Sequence, residues 1–435
     1  MAESMKAVLS NKIYLSVTPE LKTELMETLT YSLVRTGNKG KRIPYKLRDY
    51  IEVRDNILAI PIGRTDLIPE GYEIVDKRVT NPVDFPEFKF ELREDQQEVL
   101  DAVDGSVIIN AQPSWGKTFC GIAVAAKLGL KTIVVVHTLF LLDQWIEEVQ
   151  KTLGITPGVL TGKKKDIDSP IVISNIQTFK KYAKELSKEF GTVIVDEGHR
   201  TPASTFTEAI GKLNCTNRIC LSATLNRKDG LGILLTGYFS HYIIKPKETN
   251  RIVPKIFYYN TGIEFSDDNS IPWAIRLNEL YSEAAYQNVV LEIALGFSEA
   301  NKLPTLVVSN RVDFLEHMYE MLEDDAVLIT GKTTNRQELL EQVKSGEKNL
   351  IFGTTSIFAE GVNIPRLSVV IPAQPINNAL LIEQLAGRVA RVHPGKEHAI
   401  MVDLRLQGRT GGKQAMNRLK TYAALGYEVA ELPKL

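Results

Sequence analysis

The chain has 435 residues, 44% of them apolar and 24% charged, and a formal net charge of −1. That length supports two or three domains with substantial cores, and the composition is that of an ordinary soluble globular protein. A net charge this close to zero excludes a global basic field, so any polyanionic partner must be met by local patches. The three cysteines, Cys120, Cys215 and Cys220, form no C-x-x-C pair, which argues for core-filling thiols rather than zinc or a disulfide framework. The first residues, Met1 to Lys6, contain no apolar signal core, and no run approaches a membrane span. The expectation is a cytoplasmic protein, monomeric, with no membrane partner.

In chain order, Ile13–Val17 reads as a strand. Thr18 and Pro19 then open a helix, and Leu21, Leu25, Leu29 and Leu33 continue it at helical spacing through residues 20–34. A basic stretch, 35–48, has no acid; short strands follow at Ile51–Val53 and Ile57–Ile60. Asn81-Pro82 and Phe85-Pro86 mark a linker. From 86 to 248 short continuous apolar runs alternate with helical segments: Val107–Asn110, Ile133–Val136, Ile171–Ile173, Val193–Val195 and Ile219–Leu221. Such runs suit strands buried on both faces of a parallel sheet. A second alternating block follows, with a long helical stretch from Trp273 to Glu299. Its strands are expected at Thr305–Val308, Val327–Ile329, Leu350–Phe352, Val369–Ile371 and Ile400–Val402. The basic residues Arg405, Arg409, Lys413, Arg418 and Lys420 sit near Gly408, Gly411 and Gly412, a combination read as a mobile groove lining. The domains expected are 1–85, a small α+β substrate-binding domain, then 86–248 and 249–435, two α/β domains each with a doubly wound parallel sheet.

Two constellations carry chemistry. Ala111-Gln-Pro-Ser114-Trp115-Gly116-Lys117-Thr118 lies between an apolar run and a helical segment, the context of a phosphate-binding P-loop. Loop amides and the helix N-terminus point at phosphates, Lys117 supplies a cation, and Thr118 offers a hydroxyl to Mg²⁺. Trp115 either covers the phosphates or packs in the core. The second constellation is Asp196-Glu197-Gly198-His199 at the end of an apolar run. There Asp196 is placed to hold Mg²⁺ through its water shell and Glu197 to orient and deprotonate water.

These segments, followed by Leu221-Ser222-Ala223-Thr224, resemble the superfamily 2 helicases and translocases, whose motifs match in order over residues 92–391. The resemblance implies RecA-like domains in tandem, ATP and Mg²⁺ as cofactors, and DNA as partner. It places Arg93 and Gln96 at the adenine, and Ala111, Ser114, Trp115, Gly116, Lys117 and Thr118 around the phosphates. It assigns Gly361 and Asn363 to motif V at the nucleotide, and Gln384, Arg388 and Arg391 to motif VI. On a helix Arg388 and Arg391 would share a face. His199, Ser222, Thr224, Arg227 and Asp229 fall in segments that couple the nucleotide and nucleic-acid sites. Ala111 and Ser114 depart from the family's usual glycines, and Gly198 from its Ala or Cys.

The same resemblance runs one strand's backbone past Thr138, Gln177, Thr330 and Thr355. The basic stretch, with Lys39, Lys41, Arg42, Lys46 and Arg48, is the expected duplex or junction contact. Arg227 and Asp229 after Ser-Ala-Thr resemble the XPB-like and UvsW-like branch. That implies an ATP-dependent DNA helicase with 3′→5′ tracking on forks or four-way junctions, in recombination, replication or repair. An RNA helicase or remodeller, and a duplex translocase that does not separate strands, remain alternatives.

Overall fold

The computed structural model describes residues 5–36, 42–200, 205–225, 230–247, 251–322, 325–360, 362 and 364–433. The chain divides into two compact units, Met1–Glu248 and Thr249–Leu435.

The first unit opens with a five-stranded sheet, in spatial order Ile51–Arg54, Ile57–Pro61, Lys12–Ser16, Lys6–Leu9 and Glu73–Asp76. Alternation decides its core: Ala7, Leu9, Ile13 and Leu15 point inward with Leu58 and Ile60. The helix that covers it starts as expected, with Thr18 accepting the Leu21 amide and Pro19 in the first turn. It ends at Thr28, not at residue 34, because Thr30–Thr36 forms a strand paired antiparallel with Arg42–Arg48. The leucine spacing misleads here. Leu33 is buried from a strand, in a run rich in β-branched and aromatic residues that favours pairing over helix.

The small sheet is tied to the larger one beside it. Gly63 exchanges backbone bonds with Gly237 and His241, Ser10 bonds Asn214, and Val79 bridges to Cys215. A Cβ on Gly63 would lie 2.1 Å from the Thr236 carbonyl, so only glycine permits that approach.

The larger sheet has seven strands, all parallel, in the order Gly158–Leu160, Ile171–Asn175, Thr132–Val136, Thr192–Asp196, Asn217–Ser222, Val107–Asn110 and Ile243–Ile244. Alternate residues feed two cores on its two faces: Val134 and Val136 join the Lys117–Leu128 and Leu139–Leu153 helices, whereas Ile133 and Val135 join Phe179 and Ala209.

The second unit repeats the plan. Its seven parallel strands run in the order Ala326–Ile329, Leu350–Thr354, Thr305–Ser309, Val369–Pro372, Ile400–Gln407, Lys255–Glu264 and Val429–Glu431. The long helical stretch is broken: Trp273–Ser282 and Ala284–Leu295 meet at Glu283, whose backbone is extended, and a wide turn at Gly296–Ala300 closes the second helix. The glycine-rich segment near the C-terminus is the start of a regular helix, Gly408–Ala424, and not a mobile lining. Arg418 is buried there, donating to Asp403 at 2.6 Å, and Arg405 lies over the Tyr258 ring.

Candidate nucleotide site and motor motifs

The P-loop joins the carboxyl end of the Val107–Asn110 strand to the Lys117–Leu128 helix. This is where open parallel sheets place ligands. Gly116 caps the helix at φ 97, and a Cβ there would stand 2.6 Å from Gln96 Nε2. Ala111 is buried and donates its amide to the Ser222 carbonyl; its φ is negative, so alanine costs nothing where relatives carry glycine. Ser114 does adopt the left-handed region, at φ 69, a conformation that costs a non-glycine residue about 1 kcal/mol. Lys117 is 8% exposed and donates to the carbonyls of Ala111 at 3.1 Å and Gln112 at 3.2 Å. Thr118 follows it in the first helical turn.

A girdle of polar groups fixes the loop from behind. Gln96 Nε2 and Arg93 both donate to the Trp115 carbonyl, at 3.1 and 2.7 Å. Trp115 packs in the core and donates Nε1 to Asp95 at 2.6 Å, while Asp95 also takes the Arg93 guanidinium. Gln96 accepts the Arg93 amide as well, so its side chain is spent on the loop rather than extended toward a base. Asp95 is missing from the residues that sequence reasoning selected. Its signal was its place between Arg93 and Gln96.

Asp196 ends the Thr192–Asp196 strand, one strand removed from the P-loop strand. It is 4% exposed; Oδ2 accepts Trp145 Nε1 at 2.9 Å and Oδ1 accepts the Glu197 amide. Burial, then the Glu197 charge, pushes its carboxyl up to about 6, opposed by the Trp145 bond and by Lys117. Trp145 is a second contributor that lies outside the residues singled out from the sequence. Glu197 sits at φ 52, strained backbone of the kind that concentrates at functional sites. His199 Nδ1 lies 3.2 Å from Glu197 Oε2 and 3.1 Å from Ser222 Oγ, and Ser222 Oγ in turn donates to the Thr224 carbonyl. Glu197, His199, Ser222 and Thr224 are thus one connected cluster across two adjacent strands. Gly198 has a packing reason: a Cβ there would meet Cys220 Sγ at 2.3 Å. Arg227 and Asp229 lie outside the described residues.

The strand-contact candidates divide. Thr138 caps the Leu139–Leu153 helix, its hydroxyl accepting the Leu141 amide, and Gln177 is exposed on the Ile176–Tyr182 helix. In the second unit Thr330 is a buried turn residue that accepts the Lys332 amide. Thr355 opens a short helix with its buried hydroxyl unbonded. Gly361 and Asn363 lie outside the described residues. Gln384 is 2% exposed with neither amide atom bonded within the structure. Arg388 donates to the carbonyls of Ala359 at 2.5 Å and Val362 at 3.3 Å, stapling the motif V turn. Arg391 does not share its helical face, because the helix stops at Val389. Lys396 caps that end through the carbonyls of Val389 and Arg391, and Pro394 prevents continuation.

The basic stretch is a two-stranded ribbon. Lys46 pairs with Ser32 and Arg48 with Thr30, and Ser32, Val34, Pro44, Lys46 and Arg48 form one exposed face. Arg42 pairs with Thr36 through the backbone, and Lys39 and Lys41 lie outside the described residues.

A parallel sheet with a Gly-Lys-Thr loop and an Asp-Glu pair beside it, its Asp196 buried, defines a P-loop nucleoside triphosphatase. Residues 89–227 match the family model described as the type III restriction enzyme res subunit, and residues 286–393 match the helicase conserved C-terminal domain. Helicase D10 of Escherichia phage T5 is 38% identical over 98% of this chain and 95% of its own length. ATP-dependent RNA helicase L396 of Acanthamoeba polyphaga mimivirus is 27% identical over 89% of this chain and 80% of its own. Both names are provisional. Among solved structures, S. cerevisiae Dbp5 bound to RNA and ADP BeF3 matches with a TM-score of 0.59 at 14% identity, over 78% of this chain and 90% of that one. The chain belongs to the superfamily 2 helicases, with two RecA-like domains in tandem behind a small N-terminal sheet, and is a nucleic-acid-dependent ATPase. No helix among the described residues is long and apolar enough to cross a membrane.

Proposed function

We propose that this chain is an ATP- and Mg²⁺-driven DNA motor that remodels forked or branched molecules, tracking 3′→5′ as the UvsW-like resemblance implies. The observation that carries the reading is the pairing, at the carboxyl end of one sheet, of a caged Lys117 with buried Asp196 and the adjoining Glu197. The residues fit the cofactor: the Lys117 ammonium, 8% exposed, is aimed into the loop by two carbonyls, and Asp196 lies close enough to feel its charge. Mg²⁺ would supply charge neutralisation at the phosphates. Lys117 exchanges its two loop carbonyls for phosphate oxygens. Thr118 and Asp196 would hold that ion, and Glu197 is placed to take the proton of the attacking water. We assign Gln384, Arg388 and Arg391 to the same reaction, with Arg388 also holding the motif V turn. Arg93 and Gln96 act by fixing the loop. His199, Ser222 and Thr224 report nucleotide state to the nucleic-acid side, where Thr138, Gln177, Thr330 and Thr355 meet the tracked strand and Lys46 and Arg48 meet duplex.

The relatives named as RNA helicases favour a second reading, in which the strand tracked is RNA. Steady-state ATPase on single-stranded DNA, duplex, four-way junction and single-stranded RNA, at two salt concentrations, separates the two. Stimulation greatest with the junction is expected, with turnover abolished by Lys117→Ala and by Glu197→Gln. Stimulation by RNA alone would sink the DNA reading, and undiminished turnover in the two variants would sink the assignment of the site.

A further inference from the structure

The amino-terminal end of the second unit's sheet lies opposite the strand ends that carry Thr330 and Thr355. Thr330 and Thr355 follow the carboxyl ends of their strands, whereas the connections that enter the Thr305–Ser309, Val369–Pro372 and Ile400–Gln407 strands gather at the opposite end. Those three strands are neighbours in the sheet, and their entry segments surround a cavity of about 380 Å³. Its lining includes Lys302, Arg366, Lys396, His393 and His398, with Glu397 as the one carboxylate.

Two of the cations are held by neutral groups. Lys396 donates to the carbonyls of Pro365, Val389 and Arg391. Arg366 donates to the Val343 carbonyl at 2.7 Å and to Asn349 Oδ1 at 3.0 Å. Carbonyls orient a cation without cancelling its charge. Among the described residues none of the five basic side chains pairs with a carboxylate, although ion pairs are common elsewhere on the surface. Burial lowers the pKa of Arg366, and burial with the charge of Arg391 takes Lys396 down to about 7. Basic side chains thus outnumber the one carboxylate of the lining, and two of them, Arg366 and Lys396, are held in place by neutral groups. Lys302, at φ 54, is set by the turn that enters its strand.

We propose that this cavity binds a phosphate group at a site separate from the P-loop. A compact multivalent anion is the ligand that several convergent donors around a small volume recognise. The group could be free phosphate or pyrophosphate, or a phosphate of a nucleic-acid chain. Both sources share the chemistry, and the cavity does not depend on the DNA reading above.

The test is calorimetric titration of the full chain with pyrophosphate, at saturating ADP and Mg²⁺ to occupy the first-unit site. The unsubstituted chain is compared with Lys302→Glu/His398→Glu, both exposed positions. Pyrophosphate should bind the unsubstituted chain, and the double variant at least about tenfold more weakly at an unchanged thermal midpoint. Equal affinity in both chains, or no binding in either, overturns the site. Lys302→Ala/His398→Ala repeats the comparison if charge reversal disturbs folding. Displacement of pyrophosphate by a single-stranded oligonucleotide assigns the cavity to backbone phosphates; binding that survives the oligonucleotide assigns it to free phosphate.

Discussion

At the scale of single residues, Asp196 shows how a motor site is held ready at a cost. Its carboxyl is raised to about 6 by burial and by Glu197, above the value it has in an unfolded chain. Between roughly pH 4 and 6 the native state therefore binds more protons, so the stability this group contributes is lost as pH rises through that window. Asp196→Asn keeps an oxygen for Trp145 Nε1 and removes the charge. The nucleotide-free variant is expected to be more stable than the parent at about pH 7.5, by on the order of 1–2 kcal/mol. The gain should shrink toward pH 4, and ATP turnover should be lost. Scanning calorimetry at both pH values checks this, and a lower midpoint for the variant at the higher pH would refute it. The acid pair itself was legible in the sequence. What set its chemistry was not, since Trp145 reaches Asp196 from a helix that begins after a different strand.

At the scale of elements, Gly198, in the short turn after one strand, and Cys220, on the neighbouring strand, form a matched pair. Gly198→Ala drives a methyl into Cys220 Sγ, with an expected loss of about 1–3 kcal/mol in urea unfolding. Cys220→Ala in the same chain should recover most of that loss, and a purely additive double-mutant cycle would show that the two do not interact. The ribbon makes a second test. Lys46→Glu/Arg48→Glu should weaken duplex binding and lower the salt slope by about 0.9 per lost phosphate contact. Single-strand-stimulated ATPase should be spared, and a uniform loss across substrates would argue against a duplex role. The buried parallel strands were readable because both their faces are apolar, as in Ile133–Val136 and Val369–Ile371. The ribbon was misread because Leu29 and Leu33 fit a helical period. The Lys255–Glu264 strand was not anticipated, since Asn260 and Gly262 interrupt its aromatic run and the register shifts between Asn260 and Glu264.

At the scale of the molecule, motif order was enough to read two parallel-sheet units, because the P-loop, Asp196–His199, Ser222–Thr224, Thr330 and Thr355 sit at strand ends, and strand ends are punctuated in sequence. The attachment of the N-terminal sheet was not readable. It rests on backbone bonds such as Gly63 to Gly237, for which side-chain patterns give no warning. A chain of net charge −1 that engages a polyanion through a few cations should lose affinity steeply with salt. Half-maximal DNA concentration for ATPase stimulation, measured from about 50 to 200 mM salt, reads the number of contacts. A flat dependence would mean that basic patches such as the ribbon stay off the phosphates.

Lys117 in its cage has a consequence for selectivity. Two carbonyl oxygens of its own loop already take two of its three ammonium protons. An arriving ligand must outcompete that internal solvation, which neutral or singly charged groups do poorly and a triphosphate tail does well. If this loop takes the triphosphate as proposed, it is expected to set a threshold of negative charge for entry, discriminating against nucleosides and monophosphates before any contact with a base is made.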